Sequence, residues 1–384
     1  MKKIHCLNPI SNVGLRELPE NYQVHSDINQ ADAVLVRSAA MHETILNESV
    51  LAVARAGAGV NNIPLDDYAK KGVVVFNTPG ANANAVKELV IAGMLLASRD
   101  IKGGMNWVDS NQNDPEIAKQ VEKAKGQFGG TEIFNKTIGI FGLGAVGVLL
   151  ANACHALGMK VFAVTKDLEY LKEVKLPEDL VILDTNEELF SKCDFISLNL
   201  PLIPETKHMI NKTAFDQMKD GVIILNFARD GLVNDQDLMD AIQSKKVRKY
   251  VTDFPNEVTA KMEGVISIPH LGASTEEAEE NCAVMAIHQV VDYLENGNIK
   301  NSVNYPNIQV GKKKSKTRVS ILYDAAINLH EKLHPYFSKK EVVQCIDRKN
   351  NKYGCTIVDM NDDMSNELLE TIRKIQGVIK IRVI

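Results

Sequence analysis

The stretch Lys136–Gly147, KTIGIFGLGAVG, constrains this chain more than any other. An apolar run, Thr137–Phe141, ends in Gly142-Leu143-Gly144-Ala145-Val146-Gly147. An apolar segment, Val148–Leu157, then leads to Gly158 and a second apolar run ending at Val164. The pattern reads strand, tight turn, buried helix, strand. Each glycine has a reason. Gly142 permits the sharp turn, Gly144 lets backbone N–H groups approach a pyrophosphate, and Gly147 lets helix and strand pack closely. The first turn of the helix, from Ala145 and Val146, offers unpaired N–H groups and a partial positive charge to an anion. The unit is predicted to bind a dinucleotide.

One position departs from that fingerprint. An acidic residue normally closes the second strand and holds the ribose hydroxyls. Here Thr165 stands in that place, followed by Lys166 and Asp167. Thr165 can hydrogen-bond the ribose with Lys166 solvated. Equally, it cannot repel a 2′-phosphate as a carboxylate would, and Lys166 can attract one. The expected cofactor is NAD, with NADP open.

A length of 384 residues predicts two or three domains. With a net charge of −5, no global basic field points to nucleic acid or a membrane surface. The N-terminus, MKKIHCLNPI, reads as a first strand and not as a signal peptide, and no apolar run reaches membrane-spanning length. Six scattered cysteines without a CxxC pair read as small buried hydrophobes in a reducing cytosol, and give no metal site. A cytoplasmic location is expected.

Strands alternate with helices along most of the chain. Ala33–Ser38, Val50–Arg55 and Val73–Phe76 read as strands that end in polar or glycine-rich turns, followed by a long apolar helix through Val86 and Ala97. Residues 101–135 lose this periodicity and read as an arm or loop. Further strands end at Pro201, at Ala228-Arg229-Asp230-Gly231, at Pro255 and at Pro269-His270. The alternation predicts an α/β protein with doubly wound parallel sheets in two domains. A Rossmann nucleotide domain, residues 94–275, is inserted in a flavodoxin-like substrate domain, residues 1–93 and 276–304. Residues 305–317 form a linker whose basic run, 311–316, reads as a solvated tether. Residues 318–384 read βαββαβ, a small ferredoxin-like domain.

Three ionisable residues, Arg229, Glu257 and His270, follow strand ends downstream of the glycine turn. Together they are what removal of hydride from a 2-hydroxy acid requires. Histidine is the natural base near neutral pH, a carboxylate beside it orients the ring, and an arginine fork clamps the substrate carboxylate. Each also has a structural role open to it. Arg229 could pair with Asp230, Glu257 could be solvated with Glu263 as its rival, and a lone Pro-His such as Pro269-His270 is more often structural. Asp253 reads as a turn cap or a holder of the nicotinamide carboxamide and not as the base.

GLGAVG, NFARDGLVN, TDFPNE and IPHLGASTEEAEEN resemble the D-isomer-specific 2-hydroxyacid dehydrogenase family. VRSA, RAGAGVNNI and FNTPGANANAVKELV resemble the branch that oxidises a phosphorylated 2-hydroxy acid at the start of serine synthesis. The resemblance covers residues 5 to about 304. It implies Arg229 as clamp, His270 as acid/base and Glu257 as its partner. It implies cofactor contacts from Thr78, Ala145, Val146, Leu200, Phe227, Ala228, Asp253, Gly272 and Ala273. It also implies Arg37 and Ser38 at the substrate phosphate, the Ala58-Gly59-Val60-Asn61 backbone at its carboxylate, and Lys125 as a further phosphate candidate. The resemblance extends to assembly as a homodimer or homotetramer.

Three features depart from the family pattern. Asp253 and Glu257 are one residue closer than in the family. Thr165 replaces the family's acid. The last domain resembles an ACT domain, which implies serine feedback, but Tyr323–His330 lacks the Pro-Gly of such effector sites, so pairing of two copies is the alternative. Two other readings stay open: reduction of glyoxylate, hydroxypyruvate or another small 2-oxo acid, and nucleotide sensing without turnover, as in corepressors of this fold.

Overall fold

Short β-branched runs form parallel strands that are buried on both faces, and helices cover them. The computed structural model describes residues 1–338 and 340–384. These divide into two compact units, residues 1–82 with 276–384, and residues 83–275.

In the first unit, strands β1 (Lys2–Cys6), β2 (Tyr22–Val24), β3 (Ala33–Val36), β4 (Ala52–Arg55) and β5 (Val74–Phe76) form an all-parallel sheet. Its order is β2-β1-β3-β4-β5, the flavodoxin-like order. One face buries Ile4, Leu35, Ala54 and Phe76 against Ile287, Val290 and Tyr293 of the helix Glu276–Asn296. The other packs Val34, Val36, Val53 and Val75 on Tyr68 and Met41.

In the second unit, β6 (Thr137–Phe141), β7 (Lys160–Val164), β8 (Val181–Ile182), β9 (Phe195–Leu198), β10 (Val222–Asn226), β11 (Val247–Thr252) and β12 (Val265–Ser267) form a second parallel sheet. Its order, β12-β11-β10-β9-β6-β7-β8, reverses at β6, so a crevice opens beyond the ends of β6 and β9. The helix Ala83–Ser98 belongs to this unit and lies close on β10: a Cβ at Gly93 would stand 2.7 Å from the Phe227 ring.

The stretch 101–135, expected as an arm or loop, is largely helical: Ile101–Asn111, Ile117–Ala124 and a 3-10 turn Lys125–Phe128. Asp100 starts it by accepting the Gly103 N–H at 3.1 Å. Its apolar residues are too few to mark a buried face in the sequence, which is why periodicity missed it.

Strands β13 (Thr317–Asp324), β14 (Val342–Lys349), β15 (Tyr353–Met360) and β16 (Val378–Val383) form an antiparallel sheet in the order β14-β15-β13-β16. Every residue of β15 is buried, because both faces are covered. One face meets the helix Glu276–Asn296 through Leu322, Cys355 and Ile357, and the other meets Leu333, Phe337 and Ile372. Cys345, expected to be buried, is exposed on the edge strand β14.

The basic run 311–316 is not a free tether. The Gly311 carbonyl accepts from Arg318 Nη1 at 2.8 Å, and the Lys313 N–H donates to Asn296 Oδ1 at 3.0 Å. Arg318, 1% exposed, also forks onto Asp359 through Nε (2.5 Å) and Nη2 (2.6 Å) and donates to the Asn296 carbonyl at 2.9 Å. Burial raises the Asp359 pKa, but hydrogen bonds from Arg318 and Gln344 outweigh it and hold the carboxyl below its ordinary value. A depressed carboxyl stabilises the fold above its unfolded pKa of about 4, and the contribution is lost as pH falls through the folded value. Asp359→Ala should therefore destabilise the protein by about 3–5 kcal/mol at pH 7, because it strands a buried guanidinium. In urea unfolding of the wild type, stability should decline only below about pH 4 from this pair.

Candidate active site

In the second unit the glycine turn has the geometry its sequence requires. Gly142 sits at φ +86°, a conformation that L side chains rarely adopt. A Cβ at Gly147 would lie 2.0 Å from the Gly142 carbonyl oxygen, so helix and turn touch backbone to backbone. At Gly144 nothing lies within 4 Å of a Cβ position, which leaves one side of the turn open. The helix Ala145–Ala156 starts at Gly144 with no side-chain cap, so the N–H groups of Ala145, Val146 and Gly147 are left for an anion. Leu200 follows β9 and walls the turn: its Cδ2 would be 2.9 Å from a Cβ at Gly142.

The chemistry-bearing residues follow the next three strand ends. Asn226, fully buried at the end of β10, shapes the Arg229 loop. Its Oδ1 accepts from the Ala228 N–H (3.2 Å) and the Arg229 N–H (3.4 Å). Its Nδ2 donates to the Arg229 carbonyl and to the Tyr250 hydroxyl, both at 2.9 Å. Beyond β11, Asp253 is 1% exposed. Its Oδ2 accepts the Gly272 N–H at 3.1 Å, and its Oδ1 is buried without a partner. Burial pushes its carboxyl pKa up, partly opposed by the Gly272 N–H and by the charges of His270 and Arg229. Beyond β12, His270 is exposed, and its ring packs against Phe254 with centroids 4.3 Å apart and planes tilted by 44°. The Arg229 guanidinium carbon lies 5.5 Å from the centroid of the same Phe254 ring, and Arg229 Nη1 donates to the Ala228 carbonyl at 2.6 Å. Phe254 thus stands against both Arg229 and His270.

Glu257 is exposed on the same loop and forms no ion pair with His270. Asn256 shapes this loop: its Oδ1 accepts the Val258 (3.0 Å) and Thr259 (2.8 Å) N–H groups, and its Nδ2 donates to Asp230 and Asp235. Phe227 is buried, while Ala228 and Ala273 are half-buried. Thr165 is half-buried just past β7. Lys125 is exposed and paired with Glu122.

In the first unit, the Asn8 side-chain oxygen Oδ1 accepts three backbone N–H groups, from Arg37 (3.1 Å), Ser38 (3.2 Å) and Ala39 (3.0 Å), and so curls the turn after β3. The Arg37 guanidinium pairs with Glu279, both about two-fifths exposed. After β4 the carbonyls of the 58–61 loop are occupied. Asn77 donates to Ala58 (2.6 Å), Arg55 donates to Gly59, and His42 Nε2 meets the Asn61 carbonyl (2.9 Å). The N–H groups of Ala58, Gly59, Val60 and Asn61 have no acceptor among the described residues. Thr78 is buried, with its hydroxyl unpartnered.

These features fit a nicotinamide dinucleotide: an open glycine cradle, an uncapped helix start and a buried acceptor, Asp253 Oδ1, without a donor. Asn8, Asn226, Asn256 and Phe254 were not singled out by sequence reasoning. The available signal was an asparagine closing a fully apolar strand, as in VIILN, since a buried amide has to be partnered.

Residues 91–272 match the family model described as D-isomer specific 2-hydroxyacid dehydrogenase, NAD binding domain. The chain is 33% identical over 290 residues to D-3-phosphoglycerate dehydrogenase of Methanocaldococcus jannaschii, covering 73% of this chain and 53% of that protein. It is 29% identical over 349 residues to D-3-phosphoglycerate dehydrogenase of Haemophilus influenzae, covering 87% of this chain and 81% of that one. The chain spans about half the length of several other curated relatives it matches. Among solved structures, NAD+-bound 3-phosphoglycerate dehydrogenase of Entamoeba histolytica superposes with a TM-score of 0.61 at 28% identity, over 79% of this chain and 98% of that one.

Replacing Asn226 with alanine leaves buried N–H and C=O groups unpaired. We expect a loss of about 1–3 kcal/mol in urea unfolding. Asn226→Asp should lose at least as much, because a carboxylate oxygen cannot donate to the Arg229 carbonyl and would bury a charge.

Proposed function

We propose that this chain, whose residues 91–272 belong to the NAD-binding domain of the D-isomer specific 2-hydroxyacid dehydrogenases, acts as a D-3-phosphoglycerate dehydrogenase. The observation that carries the reading is the convergence of Arg229, Asp253 and His270 on three successive strand ends, with Phe254 packed against two of them. Arg229 clamps the substrate carboxylate and polarises the neighbouring C–O bond. The His270 imidazole takes the proton of the 2-hydroxyl as the 2-carbon is oxidised, and returns it in the reverse direction. The Gly142–Gly147 turn would hold a dinucleotide whose nicotinamide would supply the hydride acceptor. Asp253 would offer its free Oδ1 to the carboxamide, and Glu257, exposed and unpaired with His270, would have to turn onto the ring to steady the imidazolium. The free N–H groups of Ala58–Asn61 suit a carboxylate, and Arg37 and Ser38 suit the phosphate. The product is 3-phosphohydroxypyruvate, a serine precursor.

One observation favours a second reading. Arg37 is already paired with Glu279, so a phosphate has to displace a carboxylate, whereas an unphosphorylated 2-oxo acid such as glyoxylate does not. We further propose a homodimer or homotetramer. Met105, 61% exposed, and Val108, 44% exposed, are apolar side chains that a second copy can cover. Among the described residues no helix is long and apolar enough to cross a membrane, and the six cysteines are free thiols, in keeping with work in the cytoplasm.

Adding 3-phosphoglycerate and NAD+ should generate NADH absorbance, and His270→Ala should lower kcat by about 10²–10⁴-fold. An undiminished His270→Ala rate refutes the base. Arg37→Ala should raise KM for 3-phosphoglycerate by about 10–100-fold and leave an unphosphorylated 2-hydroxy acid almost unaffected. Equal losses for both refute the phosphate contact.

A further inference from the structure

We propose that the ribose subsite at the end of β7 accepts a 2′-phosphate, so that this chain binds NADP(H) as well as NAD(H). The inference rests on the nucleotide reading of residues 137–164 and is independent of the substrate. In a dinucleotide fold the residue that closes the second strand meets the ribose 2′ position, where a carboxylate selects NAD and a nearby cation admits the 2′-phosphate. Here that residue is Thr165, half-buried and neutral. Lys166, beside it, is exposed and forms no ion pair among the described residues, whereas the neighbouring Lys172 is tied to Glu169 at 2.7 Å.

Two nearby acids are the ones that could restore selectivity for NAD. Asp167 is committed elsewhere, since its Oδ1 caps the next helical turn by accepting the Tyr170 N–H at 3.0 Å. Asp184 lies on the adjacent chain segment. β7 pairs in parallel with β8, Phe162 with Val181 and Ala163 with Ile182, so the same register carried onward brings Asp184 level with Thr165. Asp184 is exposed, and it stands beside the strand end, not on it. The ribose position is thus left with a hydroxyl and an unpaired ammonium, which tolerate added negative charge where an acid on β7 would repel it.

Calorimetric titration of the full chain with NADH and NADPH tests this without turnover. The expected result is a Kd for NADPH within tenfold of that for NADH, with 2′,5′-ADP binding at least as tightly as 5′-AMP. Thr165→Asp should raise the ratio Kd(NADPH)/Kd(NADH) at least tenfold. Lys166→Ala should raise it severalfold and flatten the salt dependence of NADPH binding. Wild-type discrimination against NADPH beyond tenfold overturns the proposal, and its collapse in Asp184→Asn would name Asp184 as the selecting acid. Failure of both dinucleotides to bind sinks the nucleotide reading itself, and this inference with it.

Discussion

The contact between the Gly147 backbone and the Gly142 carbonyl is the constraint on which the nucleotide unit depends. A side chain at Gly147 would push the helix Ala145–Ala156 off β6, and one at Gly142 would run into the Asn199 carbonyl and Leu200 after β9. That would withdraw the N–H groups meant for an anion. The strands of this sheet all run parallel, so their ends open on one side. Parallel strands are buried on both faces, so their interiors carry no polar chemistry and the first residues free to carry it follow their ends. Arg229, Asp253 and His270 occur where that rule puts them, after β10, β11 and β12.

What gives those ends their shape is a set of amides, and not strand propensity. Asn226 holds the Arg229 loop by four hydrogen bonds, Asn256 gathers the loop of Glu257, and Asn8 gathers three N–H groups after β3. Each replaces a turn's missing backbone partners with one side chain. The loops are therefore rigid enough to present charge in a defined place, which is what electrostatic positioning requires. Phe254 adds an apolar wall shared by the Arg229 guanidinium and the His270 ring.

The C-terminal sheet is built into the first unit. Its face shares an apolar core with the helix Glu276–Asn296 and the first parallel sheet. Polar ties reinforce it: the Arg318–Asp359 fork with its bonds to Asn296 and Gly311, and the Arg382 guanidinium carbon 4.6 Å from the Tyr293 ring centroid. A buried fork of this kind specifies register more than it adds net stability.

Much was legible in the sequence because its signals are local. The glycine spacing, the alternation of apolar runs with polar stops and the βαββαβ order each lie within one short window, so the doubly wound sheets and the small antiparallel sheet could be read directly. Arg229 and His270 were legible because each follows a strand end. Other features depend on contacts distant in sequence, which no window contains. Most of residues 101–128 is helical although its apolar pattern is weak. The basic run 311–316 was pinned by an asparagine and an arginine from different elements. Asp253 kept one oxygen for Gly272 and left the other unpartnered, a division of labour invisible in TDFPNE. Local periodicity reports which face of a segment avoids water. Which polar groups meet across that face is settled only when the chain closes on itself.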